Sequence, residues 1–371
     1  MDISVPILTE DARAALVCRV AALVPAMAAR AGALDEAGAF PDADVADLRE
    51  AGLFAALAPR ARPGVPGGLG VGTEPDGALA ALDMLRLIGR GNLAVGRLVE
   101  AHMNALKLVC AYGDTDAVRA ACADSADGHL FGLWVTGEGL RLQAGVLQGG
   151  KDIGSGAGFV TRALVTVNAG GASPVMMLAD VSAGRVAGTY MRLTGMRAAC
   201  NAAMDLDGLA AGPAIGAPGD YLRQPVFSGG AWRTSAVTLG GIEALVEAVV
   251  TALVRRGRAD DPYQLARIGR LKLEVHTAHL WLRQAAPMAE CDAAAPDVVV
   301  AFVNLARVAV ERAGLEAVQL AQQCLGLSGM VRGQPAERIM RDLATYLRQP
   351  AGDEALTEAA RYFAHNRLPA P

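Results

Sequence analysis

Between residues 125 and 222 the apolar residues leave the three-to-four-residue repeat of helices and fall into short β-prone runs, after which the helical repeat resumes. HLFGLWVT, LRLQAGVLQG, FVTRALVTV, SPVMMLADV and NAAMDLDGL are the runs, separated by Gly, Ser and Asn clusters. An α, then β, then α order follows, with no internal repeat. It predicts an α+β chain: an N-terminal helical domain over 1–124, a middle antiparallel β-domain over 125–222 and a C-terminal four-helix bundle over 223–371.

Within the first part, Thr9 is a candidate N-cap with Glu10 and Asp11 in the first turn, and Leu16, Val20, Leu23 and Met27 repeat at helical spacing. FPDADVADLREAGLF predicts a second helix closed by Gly52, and the Pro- and Gly-rich APRARPGVPGGLGVG is loop. Two helices are expected over residues 77 to 109, broken at Gly89-Arg90-Gly91 and restarted with Asn92 as cap. Beyond the β runs, TSAVTLGGIEALVEAVVTALVRR is a long apolar helix. Asp261 and Pro262 cap the next, which carries Leu265, Ile268, Val275 and Leu282, and a third runs through VVVAFVNLARVAVERAGLEAVQLAQQCLG.

Composition narrows the function. Hydrophobic residues make up 53% of the 371 residues and aromatics 4%, which favours close helix packing through Ala, Leu and Val. A net charge of −4 offers no long-range attraction to nucleic acid or anionic lipid. The six cysteines form no CxxC pair, which fits a reduced cytoplasm. The N-terminus MDISVPILTEDARAAL is acidic where a signal peptide is basic, and no stretch holds about 18 uninterrupted apolar residues, so a chain outside the membrane is expected.

QCLGLSGMVRGQPAERIMRD, residues 323 to 342, together with FPDADVADLREAGLF, the strand ending Leu133-Trp134-Val135-Thr136 and LQGGKDIGSGAG, resembles the acyl-CoA dehydrogenase family across nearly the whole chain. The resemblance implies an FAD wedged between the β-domain and the C-terminal helices of a homotetramer or homodimer. It places Leu133, Val135, Thr136, Ile153 and Ser155 against the isoalloxazine ring, with the Thr136 and Ser155 hydroxyls at its polar edge. Gln323, Gly326 and Gly329 would approach the FAD of a neighbouring subunit. Arg256, in the cluster Arg255-Arg256-Gly257-Arg258, would meet a pyrophosphate, although basic residues also suit a solvated helix end.

The departures from the family bear on mechanism. The position of the family's usual catalytic glutamate holds Pro350, and the alternative slot of some relatives, beside Arg233, holds Trp232. In α,β-dehydrogenation a carboxylate takes the α-proton as hydride moves to the flavin, and losing it typically costs about 10²- to 10⁴-fold in rate. Asp353 and Glu354 are the nearby substitutes, with first-turn helix residues as their plain reading. The acyl-CoA loop is replaced by Gly137-Glu138-Gly139-Leu140-Arg141, and no phosphate-binding arginine is assigned by an Arg-x-x-Phe-Gly element. Arg233 is kept as the substrate-side candidate.

Three functions are open. The default is an FAD-dependent oxidoreductase acting on the CH–CH group of an acyl thioester, acyl-CoA included, with altered catalysis. Ser155-Gly156-Ala157 is similar to the superfamily's flavin-dependent monooxygenases, which need no α-proton base. A non-catalytic oligomeric paralogue, serving as scaffold or partner subunit, is the third. His276 and His279 lie three apart on a helix without a carboxylate-rich metal motif, so no metal is expected. His102 is assigned to core-edge packing rather than to the cleft. GLGVG and GSGAG do not complete GxGxxG, and no GxSxG surrounds Ser155 or Ser328.

Overall fold

A computed structural model describes residues 4–291 and 293–370. Helix α1 spans Ser4–Ala37, so it starts before Thr9, and it buries Leu16, Val20 and Met27 completely. Asp42–Glu50 forms α2, and Gly52 at φ 84° takes the left-handed turn into α3, Leu53–Ala56. A positive φ there favours glycine, which has no Cβ to clash. Ala78–Gly91 forms α4, which runs through Gly89 without a break. Leu93–Tyr112 forms α5, entered through Asn92, whose side chain accepts the Ala94 N–H as expected. Thr115–Ala126, capped by Asp114, is α6.

The middle of the chain carries β1 (Phe131–Trp134), β2 (Arg141–Gln143), β3 (Val146–Gln148), β4 (Gly150–Gly154), β5 (Arg162–Val167), β6 (Val175–Asp180), β7 (Arg185–Ala187), β8 (Ala202–Asp205) and β9 (Ala214–Ile215). One sheet has the order β1-β5-β6-β9, another β4-β8-β7, and β2-β3 is a hairpin. All pairs are antiparallel except β1 with β5, which is parallel, a departure from the expected all-antiparallel pattern. The two larger sheets are pinned together where the Trp134 indole N–H donates to the Ser155 carbonyl at 3.1 Å. Strands β4, β7 and β9 were not anticipated: GKDIG is polar and glycine-rich, and the other two are only three and two residues long.

Helices return with α7 (Val226–Gly229), α8 (Ala231–Arg255), α9 (Pro262–Glu290), α10 (Pro296–Leu325), α11 (Pro335–Tyr346) and α12 (Gly352–Phe363). Asp261 caps α9 through the Tyr263 and Gln264 N–H groups, as its sequence predicts. Helix α8 is the centre of the bundle, with Trp232, Val237, Leu239, Ile242, Leu245 and Val249 fully buried. Each such side chain contributes about 1.5–3 kcal/mol of burial. Its contact with α4 is backbone-close: a methyl at Gly240 would sit 1.9 Å from the Arg86 carbonyl, and one at Gly89 would sit 2.2 Å from that of Val237. Two helices, Glu10–Ala37 and Val226–Arg255, are long and apolar enough to cross a membrane by length and composition. The second has 61% of its apolar window buried inside the protein.

Candidate functional site

A cleft of about 340 Å³ opens between the β region and the helices α5, α8, α10 and α11. Its size lies in the range of small-molecule sites. Leu133, Val135, Thr136, Ile153 and Ser155, expected together from sequence, all line it, as do Arg233 and Pro350. The strands explain how. Leu133 and Val135 stand at the end of β1. In β4 the pairing with β8 shifts register between Lys151 and Gly154, and this irregularity leaves Ile153 40% exposed in the cleft. Irregular pairing of this kind re-aims a side chain.

The two hydroxyls differ. Thr136 is exposed, and its hydroxyl has no partner among the described residues. Ser155 is buried, donates to Asn201 Oδ1 at 2.7 Å and receives Arg97 Nε at 3.2 Å. Ser155 is therefore the first member of a polar network. The turn carrying Thr136 is braced from below by Lys151, whose ammonium donates to the Gly137 carbonyl at 2.9 Å and to Thr166 Oγ1 at 3.0 Å. Burial holds the Lys151 pKa down, to about 8, against the pull of Asp152.

From Ser155 the network continues along one face of α5, where Arg97, Glu100, Asn104 and Lys107 fall three or four residues apart. Glu100 is fully buried; it pairs with Arg97, accepts Asn104 Nδ2 at 2.6 Å and lies 3.4 Å from the Tyr346 hydroxyl. Burial first, then the Glu100 charge, raises the Tyr346 pKa well above the ordinary phenol value, so that hydroxyl stays protonated. Tyr221 is likewise pushed up to about 12, chiefly by burial. Arg233 donates to Asn104 Oδ1 at 3.1 Å and to the Gly72 carbonyl at 2.7 Å. It also pairs with Glu290 at 2.5 Å, a residue delivered by the last turn of α9.

Sequence reasoning missed this polar stripe. The signal was present as R-x-x-E-x-x-x-N-x-x-K in residues 97 to 107, charged residues at helical spacing inside an otherwise apolar helix.

The base positions resolve physically. Pro350 lines the cleft, and its carbonyl accepts from Arg307. Trp232 is fully buried and does not line it. Glu290, hydrogen-bonded to Trp232, is a poor base: burial pushes its pKa up, but Arg233 and Lys107 outweigh this and hold it below the ordinary glutamate range. Asp353 and Glu354 are exposed on the first turn of α12, outside the cleft lining. Glu311, a residue the sequence did not single out, does line it beside Pro350.

Gln323, Gly326 and Gly329 lie on another face. Gln323 is exposed on the last turn of α10, Gly326 adopts φ 58° at its end, and Gly329 is buried just beyond. Arg256 reaches Ser328 Oγ at 2.7 Å, and together with Gly329, Arg90 and Arg338 it lines a second cleft of about 460 Å³. His102 is not in either cleft: it packs between Phe54 and Phe131, accepts the Phe131 N–H at 3.0 Å and meets Ser125 Oγ at 3.0 Å. Since Ser125 donates to the Phe54 carbonyl, the His102 Nε2 carries the proton in that contact. The imidazole is neutral, its pKa lowered to about 3 by burial.

Residues 220–356 match the family model for the acyl-CoA dehydrogenase C-terminal domain. No curated protein matches the chain. Among solved structures, TdsC from Paenibacillus sp. A11-2, a dibenzothiophene monooxygenase also seen with FMN and indole, superposes with a TM-score of 0.81 at 18–19% identity. The match covers 96% of this chain and 98% of that one. Butyryl-CoA dehydrogenase from Megasphaera elsdenii superposes with a TM-score of 0.81 at 14% identity, covering 98% and 100%. KijD3 in complex with FMN and a dTDP-amino-keto-sugar superposes at 0.77 and 20% identity, covering 97% and 95%. The chain thus has the fold of the acyl-CoA dehydrogenase superfamily, and its residues 220–356 match the model of that family's C-terminal domain.

Proposed function

We propose that the cleft binds a flavin and that the chain is a flavin-dependent oxidoreductase working with dioxygen on a small organic substrate, as a monooxygenase. One observation carries the reading. The five residues suited to an isoalloxazine converge on the cleft, while the slot for an α-proton base in the same cleft is Pro350. The donor set fits the ring: apolar Leu133, Val135 and Ile153 for its faces, and the free Thr136 hydroxyl for its polar edge. Ser155, already engaged by Arg97 and Asn201, would act by holding that arginine near the ring edge.

When bound and reduced, the flavin would supply two electrons to dioxygen. One oxygen atom enters the substrate, and the other leaves as water with two protons. The residues of the chain bind, orient and exclude water. Tyr346 and Tyr221 remain protonated donors at neutral pH, and Arg97, paired to Glu100, keeps a fixed positive charge beside Ser155. TdsC and KijD3, both described with FMN, support this reading.

The family resemblance implies FAD. The second cleft supports it, since Arg256, Ser328 and Gly329 there would meet the distal part of the cofactor from a neighbouring subunit, in a homodimer or homotetramer. The six cysteines are free, in keeping with a reducing cytoplasm.

A second reading, dehydrogenation of an acyl thioester, is favoured by Glu311, a carboxylate lining the cleft beside Pro350. Oxygen uptake separates the two. The monooxygenase consumes oxygen only when a reductase supplies reduced flavin, and no acyl-CoA bleaches its flavin anaerobically. Anaerobic bleaching by any acyl-CoA would establish the dehydrogenase instead, and protein that takes up no flavin would establish the non-catalytic paralogue.

A further inference from the structure

The charged side chains around the cleft do not balance. Arg97, Lys107, Arg233 and Arg307 line it as cations, against Glu100 and Glu311. Glu290, buried directly behind, adds the third carboxylate and leaves one cation in excess, in a chain whose overall charge is −4. Part of the imbalance lies at one pair of residues. Lys107 and Arg233 share Glu290, at 2.7 and 2.5 Å, and no other carboxylate among the described residues pairs with either.

Free donors mark where the missing anion belongs. Glu290 Oε1 accepts from Trp232 and Arg233, while Oε2 lies 2.7 Å from the Lys107 ammonium as an ion pair, without a hydrogen-bond partner among the described residues. Arg233 is 2% exposed, yet its Nε has no partner among the described residues. The Lys107 ammonium donates to the Thr73 carbonyl at 3.1 Å and ion-pairs with Glu290 at 2.7 Å, and its side chain remains 18% exposed. Two poorly solvated cations that share one carboxylate keep an uncompensated positive charge, which a partner anion offsets.

We propose that Lys107 and Arg233, shared by one Glu290, form an anion-binding pole that selects substrates bearing a carboxylate. The proposal rests on the flavin reading of the same cleft and adds the substrate class to it. Ten residues of α5 separate Lys107 from Arg97, which contacts Ser155. At 1.5 Å per residue that is about 15 Å, so the selected molecule has its anionic group remote from its reacting end.

Calorimetric titration of the flavin-loaded protein with benzoate and with its neutral counterpart benzamide tests this, with tryptophan fluorescence as a second readout because Trp232 hydrogen-bonds Glu290. Benzoate is expected to bind at least about tenfold more tightly. Lys107→Met should remove the preference, Lys107→Arg should keep it, and Asn104→Asp, which places a carboxylate beside Arg233, should remove it if Lys107→Met fails to fold. Equal binding of the two probes, or a preference that survives both charge-changing variants, would overturn the pole. If Lys107→Met lowers flavin affinity in step with benzoate affinity, the charge serves the cofactor and the substrate proposal falls. Should the protein take up no flavin, the flavin reading fails by itself. The same titration on the flavin-free protein then still decides the pole by whether a Lys107-dependent benzoate preference is present.

Discussion

The indole N–H of Trp232 donates to Glu290 Oε1 at 3.0 Å. The neighbouring Arg233 guanidinium reaches the same oxygen at 2.5 Å. In the slot where some relatives carry a glutamate before the arginine, this chain thus has a tryptophan that recruits a carboxylate from another helix. That carboxylate is locked into structure and kept out of the cleft lining.

Removing Glu290 should therefore strand one buried cation, Arg233, and one half-buried one, Lys107. Glu290→Gln is expected to destabilise the fold by about 3–5 kcal/mol, measured by urea unfolding at neutral pH. The depressed pKa of Glu290 means that its contribution is complete above the ordinary glutamate range, near pH 4.3, and is lost as pH falls through the lower folded value. A loss below about 1 kcal/mol would show that the pair is solvated and that the network is not as described.

His102 gives a second pH signature. Its folded pKa of about 3 lies below the unfolded value of about 6.5, so the unfolded chain binds the proton first. Stability is then full above about pH 6.5 and declines by about 1.4 kcal/mol per unit as pH falls towards 3. Comparing urea midpoints at pH 7 and pH 5, the wild type should lose about 2 kcal/mol more than His102→Gln. Identical losses in the two proteins would place His102 in contact with water.

The carboxylates of α12 should be silent in chemistry. Asp353→Asn with Glu354→Gln is expected to leave flavin reduction and oxygen uptake within about twofold of wild type, since both side chains are exposed outside the cleft. Glu311→Gln separates the two reaction readings. It should change oxygenation little, whereas a base role would show as a loss of about 10²-fold or more in anaerobic bleaching by an acyl-CoA.

The architecture was legible because periodicity carries it: helical repeats flank a stretch of short β-prone runs, and the strands from Phe131 to Ile215 lie between helical parts. The caps at Asn92 and Asp261 are where their side-chain chemistry puts them. The short strands β4, β7 and β9 were not legible, because pairing partners and not local propensity create them. In the site, the convergence of Leu133, Val135, Thr136, Ile153 and Ser155 on one cleft is readable from motif position. Glu290 was not: it lies 57 residues from Arg233 along the chain, and only the crossing of α9 and α8 brings them together. Glu311 and Tyr346 enter the cleft by the same kind of long-range packing.

The central claim is that the cleft between the β region and the bundle holds an isoalloxazine, and the most direct measurement is the visible absorbance of the purified protein titrated with FAD and with FMN. The account predicts saturable uptake of one flavin per chain with a shifted, structured band near the free-flavin absorbance. It also predicts at least about a tenfold loss of affinity in a Thr136→Val, Ile153→Asp double variant, which removes a polar-edge hydroxyl and charges an apolar wall. A colourless protein that binds neither flavin, or a double variant that binds as tightly as wild type, would contradict it.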